Sequence, residues 1–249
     1  MMQSSTEVLG IDIGGSGMKA APVDVSTGEM LADRFRIKTP KPAEPAAMVA
    51  VAAELAAHFD WTGPIGIAFP GVVQNNVIRT AANVSKDWIG VDGAQLFSTA
   101  TGCDIRMVND ADAAGVAEAR FGAARDESGV SLLLTFGTGI GSALIDDTDL
   151  IPNTELGHLP MGTTTGEELA SSRAKDRDDL SLETWAVLVT NYLRLLEDLL
   201  WPDLFIFGGG ISRDFNDFAH LLDVRTPVRA AEMRNNAGIV GAALHRAAG

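Results

Sequence analysis

Two apolar runs, each closed by a glycine-rich turn and set about half the chain apart, constrain this sequence most. Val8 to Ile13 runs into Gly14-Gly15-Ser16-Gly17, and Val130 to Phe136 runs into Gly137-Thr138-Gly139-Ile140-Gly141. Each run reads as a buried strand, and Met18 to Val25 and Ser142 to Ile145 read as the strands that follow the turns. Such self-similarity predicts two related lobes and falls well short of the short multiple repeats of a solenoid. At 249 residues with 46% hydrophobic content, the chain can bury an ordinary core as one large domain or two small ones.

A third strand is expected from Met30 to Ile37, after which Pro40, Pro42 and Pro45 stiffen the entry to an alanine-rich helix near 46–59. Next come a strand from Ile65 to Phe69 ended by Pro70-Gly71, a helix near 92–101, a strand from Asp104 to Val108, and a helix from Ala111 to Phe121. The second half adds a charged helical stretch from Gly166 to Leu200, broken between Asp176 and Ser181. A strand from Asp203 to Phe207, a turn at Gly208-Gly209-Gly210 and a small-residue helix from Asn235 to Ala247 complete the chain. Mixed sheets flanked by helices follow. The expected division is a small amino-terminal lobe over 1–109, completed by the final helix over 235–249, and a large lobe over 110–234.

The excess of 33 acidic over 19 basic residues, a net charge of −14, opposes loose binding to nucleic acid or an anionic membrane, so a polyanionic partner needs a local site. One cysteine, Cys103, excludes a disulfide framework and any zinc site built from several thiolates, and fits a reducing cytoplasm. Met1 to Glu7 lacks the start of a signal peptide, and no apolar run approaches the ~20 residues of a membrane span. Asn83-Val84-Ser85 fits the glycosylation pattern by chance.

Glycines let backbone N–H groups converge on an anion, so the turn after Asp12 can cradle a phosphate or be an ordinary hairpin. No helix follows it, which argues against a P-loop or a dinucleotide-binding unit. Thr135 and Thr138 add hydroxyls to the second turn. Asn109 and Asp110 stand where a strand becomes a helix; Asp110 is a candidate general base, and a helix cap is the other role open to either residue. Glu155-Leu156-Gly157-His158 can present a carboxylate and an imidazole to adjacent sugar hydroxyls, and Glu167 and Glu168 lie a short loop beyond. Cys103 has no base beside it, and no Gly-x-Ser-x-Gly elbow is present.

Together, Gly10 to Gly17, Phe69-Pro70-Gly71, Ala82-Asn83-Val84, Asn109 to Asp112, Phe136 to Gly141, Glu155 to His158 and Phe207 to Ser212 resemble the ROK group of sugar kinases, over nearly the whole chain. The resemblance implies the actin-like ATPase (hexokinase) fold, an α/β architecture of two lobes with an interlobe cleft. Asn83 to Trp88, Pro202 to Ile206, Arg225 to Pro227 and Ala237 to Ala242 are most similar to the compact actinobacterial polyphosphate glucokinases. Gly162 to Gly166 replaces the cysteine-rich zinc loop of many ROK members, so no zinc site is expected.

The resemblance implies transfer of a terminal phosphoryl group from polyphosphate, and from ATP, to the 6-hydroxyl of glucose, with Asp110 accepting the proton. Gly71, Asn83, Asn109, Asp110, Glu155, His158 and Glu167 would bind sugar, with Glu168 an alternative to Glu167. Asp12, Gly14, Gly15, Ser16, Gly17, Lys19, Thr135, Gly137, Thr138, Gly139, Gly141, Gly208, Gly209 and Gly210 would hold the donor, with Asp12 near a hydrated Mg²⁺. A cytoplasmic homodimer is expected. Lys19, Lys86, Arg34, Arg36 and Lys38 are candidate cations for polyphosphate, the arginines being equally suited to a solvated basic face. A strictly ATP-dependent glucokinase, a glucomannokinase and a non-catalytic sugar sensor are the alternatives. A DNA-binding repressor of the same group is disfavoured by the charge and by a first strand starting near Val8.

Overall fold

The computed structural model describes residues 6–248; the first five residues of the segment read for a signal, and Gly249 at the end of the last expected segment, lie outside the described residues. The chain divides into two compact units, one running to Ala117 and resuming at Asn235, the other spanning Glu118–Arg234.

The first unit holds β1 (Glu7–Ile13), β2 (Met18–Asp24), β3 (Glu29–Met30), β4 (Phe35–Ile37), α1 (Pro45–His58), β5 (Ile65–Phe69), β6 (Val73–Gln74), β7 (Val77–Ile78), α2 (Gly93–Thr101) and β8 (Ile105–Asn109). Its main sheet has the order β3-β2-β1-β5-β8, with β4 also on β2. β1 and β2 are antiparallel, whereas β1, β5 and β8 run parallel. Ile65 to Phe69 is buried throughout, as a strand covered on both faces must be.

The expected third strand is broken into β3 and β4. Pro22 of β2 accepts from Leu31 N at 2.8 Å but has no N–H to return, so pairing stops after Met30 and resumes at Phe35. The β6–β7 hairpin, absent from the sequence reading, turns on Asn75 and Asn76, both with positive φ.

α3 (Asp110–Phe121) carries the chain into the second unit. There follow β9 (Val130–Phe136), β10 (Ile140–Asp146), β11 (Asp149–Ile151), β12 (Pro160–Met161), β13 (Thr164–Thr165), α4 (Gly166–Ala170), α5 (Ser172–Arg177), α6 (Leu182–Leu200), β14 (Leu204–Gly209), α7 (Phe215–Phe218) and β15 (Val228–Ala230). The sheet order is β11-β10-β9-β14-β15, with β9–β10 antiparallel and β9, β14 and β15 parallel. It repeats the hairpin-plus-parallel-strands plan of the first unit. The helical stretch breaks at Ser171 as well as before Ser181, and each serine caps the helix that follows it. The turn expected at Gly208 to Gly210 begins later: Gly208 and Gly209 extend β14 opposite Thr135 and Phe136, because β9 continues beside them and holds the strand on. Stacked and edge-on rings of Phe136, Trp185, Phe207 and Phe218 fill the core beneath.

α8 (Ala237–Ala247) returns to the first unit. A Cβ on Gly10 or Gly66 would lie 2.0 or 1.9 Å from a carbonyl oxygen of α8, so glycine on β1 and β5 is what lets the helix backbone lie against the sheet. α8 also meets α3, where a Cβ on Gly241 would lie 1.7 Å from Ala113 O. That packing keeps the start of α3 with the first unit and puts the division after Ala117, past the one expected at 109/110.

Candidate active site

In the first unit, β1 ends at the glycine turn with Asp12 opposite Lys19 of β2, and Lys19 opposite Arg36 of β4. Lys19 Nζ lies 3.1 Å from Asp12 Oδ2. Gly14 N donates to Gly17 O at 3.1 Å and closes the turn, while Thr39 Oγ1 donates to Gly14 O. Arg36 donates to Ser16 O at 2.7 Å. A Cβ on Gly238, in the first turn of α8, would come within 2.9 Å of Asp12 Cγ, so the carboxylate sits against a helix start that favours negative charge. Asp12, Gly14 to Gly17 and Lys19 are therefore gathered at one end of the sheet. Thr39 and Gly238 join them without a sequence signal, since only tertiary packing brings them there.

Asn109 and Gly71 meet in the same unit. Asn109 Oδ1 accepts from Ala111 N at 2.8 Å and Asp112 N at 3.1 Å, and Nδ2 donates to Gly71 O at 3.1 Å. The buried Asn109 thus caps α3, the simpler of its two expected roles. One amide hydrogen is left for a ligand. A Cβ on Gly71 would lie 2.2 Å from Thr80 O, which fixes glycine there. Ala82 N donates to Pro70 O at 2.9 Å, and Asn83, with φ of 60°, packs beside the turn, where a Cβ on Gly15 would lie 3.3 Å from its own Cβ. Asp110 is exposed at the first position of α3, its Oδ1 accepting from Ala111 N at 2.9 Å; Asp112 is the buried aspartate.

In the second unit, Glu155, His158 and Glu167 form one cluster. His158 Nδ1 lies 3.7 Å from Glu155 Oε2 and Nε2 lies 3.6 Å from Glu167 Oε1. The imidazole therefore bridges two carboxylates. Burial pushes the Glu155 carboxyl above its ordinary range; His158 opposes this and the nearby Glu167 adds to it. Burial, with Glu167 adding to it, also raises the Tyr192 phenol packed beneath α4.

Glu168 faces elsewhere. It completes a capping box with Thr165 and accepts from Thr164 Oγ1 at 2.5 Å, bonds that lower its carboxyl. Glu167 Oε2 instead accepts from Ile140 N at 3.2 Å, on the second glycine turn. A Cβ on Gly139 would lie 2.3 Å from that oxygen. Gly137 N donates to Gly139 O at 2.9 Å and closes this turn as Gly14 and Gly17 close the first. Gly141, Thr135 and Gly208 form one cross-strand row behind it, with Thr138 exposed at its tip and Gly209 and Gly210 at the end of β14.

Among the described residues no group of three or more His, Cys, Asp or Glu could hold a metal ion. A single carboxylate such as Asp12 beside a glycine turn suits Mg²⁺, which keeps several waters and is shared with substrate phosphates. Cys103, buried, offers no second thiolate. No helix among the described residues is long and apolar enough to cross a membrane.

The ROK family profile matches residues 8–170. A polyphosphate glucokinase of Mycobacterium tuberculosis is 50% identical over 236 residues, covering 94% of this chain and 89% of that protein. The crystal structure of an inorganic polyphosphate/ATP-glucomannokinase from Arthrobacter sp. strain KM is similar with a TM-score of 0.90 and 45% identity, over 97% of this chain and 98% of that one. A ROK family glucokinase from Streptomyces griseus, solved with glucose and AMPPNP, gives a TM-score of 0.80 and 25% identity over 98% and 100% of the two chains.

Proposed function

The chain belongs to the ROK family, and from that premise we propose that it is a glucokinase that transfers the terminal phosphoryl group of inorganic polyphosphate, and of ATP, to the 6-hydroxyl of glucose. The observation that carries this reading is the identity of about one residue in two with a polyphosphate glucokinase across 94% of the chain. The geometry agrees with the chemistry required. Glu155, His158 and Glu167 present acceptors and a donor within a few ångströms of one another, as adjacent sugar hydroxyls need, and a sugar lacking one hydroxyl leaves a partner unpaired. Asn83, Gly71 and Asn109 supply further contacts. Asp110, exposed at the start of α3, accepts the hydroxyl proton.

On the donor side, the amides of Gly14 to Gly17 and Gly137 to Gly141 receive phosphate oxygens, Lys19 supplies positive charge, Thr135 and Thr138 supply hydroxyls, and Gly208 to Gly210 lie along a nucleoside when ATP is used. Mg²⁺ bound through water near Asp12 would neutralise charge on the donor phosphates. The same reading carries a cytoplasmic homodimer with it. The similarity to a glucomannokinase favours mannose as a second sugar.

The test uses the purified protein with glucose and Mg²⁺ and a single donor at a time. Glucose 6-phosphate should form with polyphosphate and with ATP. Product from ATP alone would replace this reading by an ATP-dependent glucokinase, and product from neither would end the kinase reading. Mannose in place of glucose decides the second sugar.

A further inference from the structure

Lys19, Lys86, Arg34, Arg36 and Lys38 were the cations available for a polyanionic donor, and hydrogen bonding separates them. Lys19 is paired with Asp12 at 3.1 Å, so it shares its charge between that carboxylate and the donor. Lys86 Nζ donates to Ala81 O at 2.5 Å. Arg34 is tied to the start of α8, through Asn235 O at 3.3 Å and Asn236 Oδ1 at 3.4 Å. Lys38 is exposed, beyond the end of β4. Arg36 alone of these sits on the glycine turn itself, donating to Ser16 O at 2.7 Å, and among the described residues no carboxylate forms an ion pair with it.

Its position follows from the sheet. Phe35 and Ile37 pack into the core, so Arg36 between them projects to the other face. There it is the cross-strand neighbour of Lys19, as Lys19 is of Asp12, and the three residues form a row that runs outward from the turn. Gly17 makes room: a Cβ there would lie 2.4 Å from Arg36 Nε. The guanidinium is exposed and keeps donors beyond the one used on Ser16, in the planar fork that suits phosphate oxygens.

We infer that Arg36 binds phosphate units of the donor further from the transferred one than those held at Asp12 and Lys19, and thereby favours a polyphosphate chain over a nucleotide. A nucleoside triphosphate ends its charge at the sugar, whereas polyphosphate carries charge on every unit. The outermost cation of the row therefore has an anionic partner in the long donor and a neutral one in ATP. This inference rests on the proposed polyphosphate-dependent activity.

The experiment compares wild type with R36Q, R36K and, as a control of equal charge change in the second unit, R120Q. KM is measured for polyphosphate of several lengths and for ATP across a salt series. R36Q should raise KM for long polyphosphate about tenfold, the effect of one charge-assisted bond, and KM for ATP no more than about twofold. The slope of log KM against log salt for polyphosphate should fall by about 0.7, one phosphate contact on a single-stranded polyanion. R36K should restore most of the slope and less of the KM, and R120Q should leave the slope unchanged. Equal effects of R36Q on both donors, or a slope that does not move, would overturn the assignment of Arg36 alone. A wild-type enzyme active with ATP and inactive with polyphosphate would instead overturn the donor reading on which it rests.

Discussion

The two glycine turns occupy the same place in the two units, and different side chains reach them. Asp12 and Thr135 stand two residues before the first glycine of each turn, opposite Lys19 and Gly141. In the first unit the row continues to Arg36, and cations flank the turn. In the second the row is uncharged, the Glu167 carboxylate accepts from Ile140 N, and Arg173 meets the turn through its backbone N on Gly137 O at 3.0 Å. The glycine backbone is alike in both, but one amide of the second is already taken by a carboxylate of the protein's own. Strand pairing alone therefore does not decide what a turn binds; the side chains of the neighbouring strand and helix do. The first turn has Lys19 and Arg36 beside it, the second the Glu167 carboxylate, and the proposed division of polyanion and sugar between them rests on that difference.

The largest effect should come from Asp110→Asn, which leaves both turns intact. Turnover should fall by ~10²–10⁴-fold with glucose affinity kept, because the amide fills the same space and accepts no proton. Single-turnover kinetics alongside glucose titration would show it, and near-normal turnover would refute Asp110 as the general base.

A matched pair sharpens the comparison itself. Gly139→Ala should push the Glu167 carboxylate off Ile140 N, and Gly17→Ala should push Arg36 off Ser16 O. Each displaced atom is the end of a flexible side chain, so the fold should survive. We expect KM for glucose to rise about tenfold in the first variant, and KM for polyphosphate to rise severalfold in the second, less than in R36Q because the guanidinium is shifted and not removed. Two variants that both raised donor KM and spared glucose would erase the distinction.

The smallest effect concerns stability. Because the folded protein holds the Glu155 proton more tightly than the unfolded chain, whose carboxyl keeps its ordinary value of 4.5, folding loses stability as pH rises from that value through the raised one. At neutral pH the ionised group is a cost, reduced by solvent because the side chain is 42% exposed. Glu155→Gln should therefore melt about 1–2 °C above wild type at pH 7, with the gain gone at pH 4, while its KM for glucose rises. A melting curve in which the variant is the less stable at pH 7 would mean that His158 outweighs burial there.

Legibility in the sequence followed the reach of the forces involved. Ile65 to Phe69 and Val130 to Phe136 could be read to the residue because apolar runs between turn residues need no partner to be recognised. The third strand could not, since its break is caused by Pro22 on the neighbouring strand. Gly208 and Gly209 read as a turn and are held straight by β9. At the site, sequence gathered Asp12, Lys19, Glu155 and His158 with their motifs but left Glu167 and Glu168 undivided. The choice depends on the Thr165 capping box, a bond of known spacing that was open to view in Thr165-Gly166-Glu167-Glu168. Arg36 stood among five cations until its hydrogen bond to Ser16 placed it.

The way α8 closes the first unit has a consequence for how the protein is made. β1 and β5 leave the ribosome well before α8, with Gly10 and Gly66 shaped for a helix that follows residues 118–234 in the chain. Everything needed by residues 118–234 emerges before that helix does. Synthesis thus inverts the usual amino-terminal-first order, because the unit begun first is the one that must wait, the helix-facing side of its sheet uncovered until α8 has followed residues 118–234.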